Sequence, residues 1–161
     1  MTINHAEKTA IARLAAVATI TDLRGQDAPT IQSVTISQHT QAFGYVQYGR
    51  IARCEALKTT SELEQDLLMS VAGHVAEMQA TGSTTAVREL ERARHIAEDL
   101  ADRQNIGWRE SDADMPQRLI SSAMQRAKDI ITQNADIIEA MIGELMVSGS
   151  LKMPRLREIC N

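Results

Sequence analysis

At 161 residues the chain has the size of one domain, expected to span residues 1–161. A composition of 43% hydrophobic and only 2% aromatic residues leaves Ala, Leu, Ile, Val and eight Met to build the core, a palette that favours close helix packing over a sandwich or barrel. The net charge of -4 supplies no basic field for nucleic acid, and no apolar run reaches the roughly 18 residues of a membrane span, so neither partner is expected.

The N-terminus lacks the pattern of a secretory signal. Cys54 and Cys160 form no Cys-x-x-Cys pair and read as reduced thiols of a cytoplasmic protein. Ile11, Leu14, Ala15 and Ala18 recur at helical spacing and predict an amphipathic helix over residues 3–20. Gly25, Asp27 and Pro29 form a turn cluster. Residues 31–36 and 43–48 alternate apolar and polar side chains and predict a small hairpin or sheet.

From Thr60 the period becomes helical. Ser61 and Glu64 have the spacing of a capping box, and Leu63, Leu67, Leu68, Val71 and Val75 follow as one apolar face. Gly82 stops that helix. Ser83, Thr84 and Thr85 offer the next N-cap, for a helix that runs to about Asn105 and buries Leu90, Ala93, Ala97 and Leu100. Residues 108–114 are polar apart from Trp108 and Ala113 and read as a loop. Pro116 suits the first turn of a long helix, where its missing N–H is harmless. That helix carries apolar residues from Leu119 to Met146, with Asn134 either a bend or a boundary between two helices. Gly149 and Ser150 end it, and Pro154 can open a short terminal helix over residues 156–160.

Three stretches bear on function. The middle one runs Val71-Ala72-Gly73-His74-Val75-Ala76-Glu77, then Gly82 and Ser83-Thr84-Thr85-Ala86, into Glu89-Leu90-Glu91-Arg92-Ala93-Arg94-His95-Ile96-Ala97. A late one runs Gln125-Arg126-Ala127-Lys128-Asp129-Ile130-Ile131 and on to Leu156-Arg157-Glu158-Ile159. An early one ends in Ala42-Phe43-Gly44-Tyr45. In their order and spacing along the chain they resemble the peptidase domain of the FtsH-type ATP-dependent zinc metalloproteases. That family has a Gly-Gly-Arg-x-Ala-Glu-Glu segment, a glycine, a Ser/Thr-Thr-Gly-Ala turn and an Asn-Asp-Leu-Glu-Arg-Ala-Thr-x-Ile-Ala helix. The resemblance implies a mainly α domain with a small β hairpin or sheet near its N-terminus. It also implies an oligomer, because the family's domain forms rings below an ATPase ring. No Gly-x-x-x-x-Gly-Lys-Ser/Thr loop and no membrane anchor occur, so the peptidase module alone is expected.

A zincin holds its metal with three protein ligands, leaves a position for water, and places a carboxylate beside that water. His-Glu-x-x-His supplies two ligands on one helix face and the proton acceptor between them. In the resembled family the third ligand is the aspartate of Asn-Asp-Leu-Glu-Arg-Ala. The matching residues here are His5, Ala6, Thr9 and Glu89: one ligand kept, the general base lost, one histidine replaced and the aspartate lengthened by a methylene. Glu7 does not substitute for the base, because one step along a helix turns a side chain by about 100°. Lys8 adds a positive charge that opposes a divalent cation.

The resemblance therefore implies a non-catalytic interaction module, with no cofactor and no intact metal site. It would form its own oligomer or bind a true FtsH-type protease. The alternative is a metal-dependent peptidase with altered ligands, which would require zinc; a nucleic-acid regulator is a weaker third reading. His39, His74 and His95 read as surface or half-buried histidines, against a relocated site of His5, His74 and Glu89. Cys54 and Cys160 lie in no triad pattern. Met141, Met146 and Met153 read as core filler, residues 88–99 as a solvated face of mixed charge, and Trp108 as a cover for the core edge.

Overall fold

Two caps fix the first long helix after the strands. In the computed structural model, which describes residues 5–23, 31–35, 45–48 and 57–160, helix α2 (Thr60–Thr81) follows helix α1 (His5–Asp22) and strands β1 (Ile31–Thr35) and β2 (Tyr45–Tyr48). The capping box is Thr59 with Glu62, not Ser61 with Glu64. The Thr59 hydroxyl accepts the Glu62 N–H at 3.1 Å, and Glu62 accepts the Thr59 N–H at 2.8 Å. Thr59-x-x-Glu62 has the same signature two residues earlier. That start also lets Lys58 pair with Asp66 and lets Arg103 donate to the Lys58 carbonyl at 2.8 Å. At the other end Gly82, at φ 71°, closes the helix with an N–H bond to the Met78 carbonyl. A left-handed residue is needed there, and glycine adopts it without steric penalty.

Helix α3 (Val87–Gln104) begins after Ala86, and no side chain of 83–85 caps it in the expected way. Thr84 accepts the Ala86 N–H at 3.1 Å, while Thr85 turns toward Glu77 of α2. Residues expected to form a loop contain a one-turn helix α4 (Trp108–Ser111). Trp108 is buried there. Its indole N–H donates to Asp102 at 2.7 Å, and the Arg109 guanidinium lies 4.4 Å over its ring. Helix α5 (Met115–Gln133) carries Pro116 in its first turn. Asn134 is a boundary: its side-chain amide and its N–H both reach the Ile130 carbonyl, and helix α6 (Ala135–Ser148) starts after it.

Gly149, at φ 74°, ends α6 and turns the chain into strand β3 (Ser150–Lys152), then helix α7 (Met153–Cys160). The sheet order is β2-β1-β3, antiparallel throughout. Val34 lies opposite Leu151, and both are buried. The expected hairpin is present as β1 and β2; Ile36, Phe43 and Gly44 lie outside the described residues, as do His39 and Cys54.

The domain is mainly helical around this small sheet. Helix α2 packs against α1, α3 and α5, and α1 also meets α6. Small side chains make the close approach possible: Ala15, Ala16 and Ala18 of α1 are buried, as are Ala72 and Ala76 of α2 and Ala93 and Ala97 of α3. Met141 is buried and its sulfur accepts the Thr19 hydroxyl, whereas Met146 is exposed. Among the described residues no helix is long and apolar enough to cross a membrane.

Candidate functional site

Residues 9–21 of α1 contain one charged side chain, Arg13. His5, Thr9 and Arg13 are four residues apart and therefore share one face of α1. That face looks onto α2 and the first turn of α3. Arg13 donates to Glu77 of α2 at 3.4 Å and forms an ion pair with Glu89 of α3. Glu77 is fully buried, and it accepts the Thr85 hydroxyl at 2.9 Å and the Thr85 N–H as well. One guanidinium thus ties three helices together.

Gly73 makes room for this arrangement. A Cβ at that position would lie 2.6 Å from Arg13 Cγ and 3.0 Å from Nε. The arginine stem crosses α2 where there is no side chain, then spreads its donors toward two carboxylates. Glu77 sits one helical turn beyond Gly73 on the same side of α2.

The residues nominated by the sequence do not fit a zinc ion. His5 is exposed at the start of α1. Thr9 is buried, and its hydroxyl donates to the His5 carbonyl at 2.9 Å, within its own helix. Glu89 faces a guanidinium. A neutral, occupied hydroxyl and an ion-paired carboxylate beside a fixed positive charge make a poor donor set. Among the described residues no three His, Cys, Asp or Glu side chains form a metal-binding group, so His5, His74 and Glu89 are not brought together. His74 is half-buried, its Nδ1 shielded and without a hydrogen-bond partner, and His95 is exposed. The mixed-charge face of α3 is largely solvated and holds an Arg94–Glu98 pair at 3.3 Å, but Glu89 departs from it by pairing across helices.

Arg13 and Glu77 were not singled out by the sequence reading. The signal for Arg13 was present: a lone charge inside an apolar helical stretch needs a countercharge. Glu77 gave less signal, because it lies outside the Leu63–Leu67–Val71 stripe.

Cys160 is half-buried at the end of α7. Burial, and then a hydrogen bond to Asp22 and the charge of that carboxylate, push its thiol up to about 12. The thiolate is the reactive form, so the site is unsuited to nucleophilic catalysis. In a Cys54→Ser background, Cys160 should alkylate with iodoacetamide at pH 8 roughly a hundred to a thousand times slower than an ordinary thiol. Asp22→Asn should speed it. Labelling at the rate of a free cysteine would contradict the arrangement.

A separate open cleft of about 530 Å³ lies between the ends of α1, α2 and α5, with Ile20, Ser61, Glu64, Arg126 and Gln133 among its lining. It contains none of His5, Thr9, Arg13, Glu77 or Glu89.

No protein-family model matches this chain, and no curated protein sequence matches it either.

Proposed function

We propose that the chain is a non-catalytic relative of the FtsH-type peptidase domain, a pseudoenzyme that works in the cytoplasm as an oligomerising or regulatory interaction module. The observation that carries this reading is the Arg13–Glu89 ion pair: the carboxylate matched to the third metal ligand is held by an arginine. The replacements at positions 6 and 9 support it, because neither alanine nor threonine restores a base or a second imidazole. The helical frame with a small sheet agrees with the fold that the resemblance implies.

Self-association is the favoured mode, with a true FtsH-type protease as the second candidate partner. Val87 and Val147 are exposed at 61% and 91%, and Ile106 at 89%, which leaves apolar side chains available at the surface.

Metal analysis and a peptidase assay test the proposal together. Purified protein is expected to retain no stoichiometric zinc after dialysis, and to leave casein intact with or without added zinc. Zinc that survives dialysis together with chelator-sensitive cleavage would establish the altered-ligand peptidase instead.

A further inference from the structure

We propose that Arg13 is a built-in cation: its guanidinium takes the place of a metal between α1 and α3, and excludes a divalent ion from it. This rests on the reading above, and it assigns to one residue both the loss of metal binding and the retention of the fold.

Four observations carry it. Arg13 lies on the same α1 face as His5 and Thr9, one turn beyond Thr9. It meets Glu89, the carboxylate on α3. It also meets Glu77, whose carboxylate is fully buried and so depends on a nearby positive charge and on the two Thr85 donors. Gly73 leaves a passage that any other residue would narrow, with a Cβ only 2.6 Å from the arginine stem. A chance surface arginine needs neither a buried carboxylate nor a cleared path. A bound metal can join segments of a fold by gathering anionic ligands at one point. The guanidinium does this with a covalently attached charge, which no chelator removes. Its positive charge also repels a divalent cation brought to the same carboxylates.

The test compares two designed proteins. The first carries Ala6→Glu, Thr9→His and Glu89→Asp with Arg13 retained. The second adds Arg13→Ala. Zinc affinity is measured by competition with a chromophoric chelator, and melting temperature is followed with and without zinc. The second protein is expected to bind zinc roughly 100-fold or more tightly than the first. Its melting temperature, lowered by loss of the arginine, is expected to rise when zinc is added, because a ligand that binds only the folded state stabilises it. The first should show no zinc-dependent rise.

Equal, tight binding by both proteins would overturn the role of Arg13 while leaving the site alignment intact. Absence of binding by both, with each folded by circular dichroism, would sink the alignment as well. Should the Arg13→Ala protein fold only when zinc is present, the proposal gains its most direct support. A parallel version with Arg13→Gln keeps the stem packed along Gly73. Failure of both versions to fold in zinc would also overturn the proposal.

Discussion

Arg13→Leu is expected to lower the stability of the domain by about 3 kcal/mol, read from the midpoint of urea unfolding. The substitution leaves the fully buried Glu77 without the guanidinium that faces it. Removing one partner of a buried pair typically costs about 3–5 kcal/mol, because the remaining charge stays desolvated. The low end applies here for two reasons. Thr85 still gives Glu77 two hydrogen bonds, and Glu89, whose side chain is 40% exposed, can hydrate once released. Adding Glu77→Gln to Arg13→Leu should recover part of the loss, since an amide needs no countercharge. A double variant no more stable than Arg13→Leu would show that the stem packing of Arg13 matters more than its charge.

The second large effect reverses the usual sign of a glycine replacement in a helix. Gly73 lies in the interior of α2, where alanine ordinarily stabilises by about 1 kcal/mol. Here the added methyl would lie 2.6 Å from Arg13 Cγ, in the middle of that side chain and not at its mobile tip. Gly73→Ala should therefore destabilise the protein, by about 1–3 kcal/mol, as an overpacked contact does. In an Arg13→Ala background the same substitution should become neutral or stabilising. A complete double-mutant cycle measures this change of sign as a coupling energy. Additive effects would mean that the arginine takes another path.

Both expectations turn on contacts between helices, which the pattern of a single helix does not report. The long helices are legible because burial on one face imposes a 3.6-residue period, as Leu63, Leu67, Leu68 and Val71 do in α2. The ends of α2 and α6 are legible because Gly82 and Gly149 take a left-handed conformation suited to glycine. The capping box is ambiguous in sequence, since Thr59 and Ser61 each have a glutamate three residues on; contacts from Lys58 and Arg103 favour the earlier start. Helix α4 is a single turn with one large apolar side chain, Trp108, so it has no period to read. Strand β3 has three residues, and its strand character comes from pairing with β1, not from Ser150, Leu151 and Lys152 themselves.

The candidate site divides in the same way. His5, Ala6, Thr9 and Glu89 could be named from a resemblance, and Thr9 and Glu89 prove to be engaged with other groups. The burial of Glu77 is not legible because α2 is packed by α1, α3 and α5, so it buries a second flank beyond its apolar stripe. No periodicity of a single helix reports that. It follows from the neighbours.

The way β3 joins the sheet has a consequence for biosynthesis. Ser33 pairs with Lys152, far later in the sequence, and β1 is the central strand. A nascent chain emerging from the ribosome can coil its early helices, but it cannot complete the sheet until residue 152 has cleared the exit tunnel. Until then one edge of β1 lies open, a template for pairing with any other extended chain nearby.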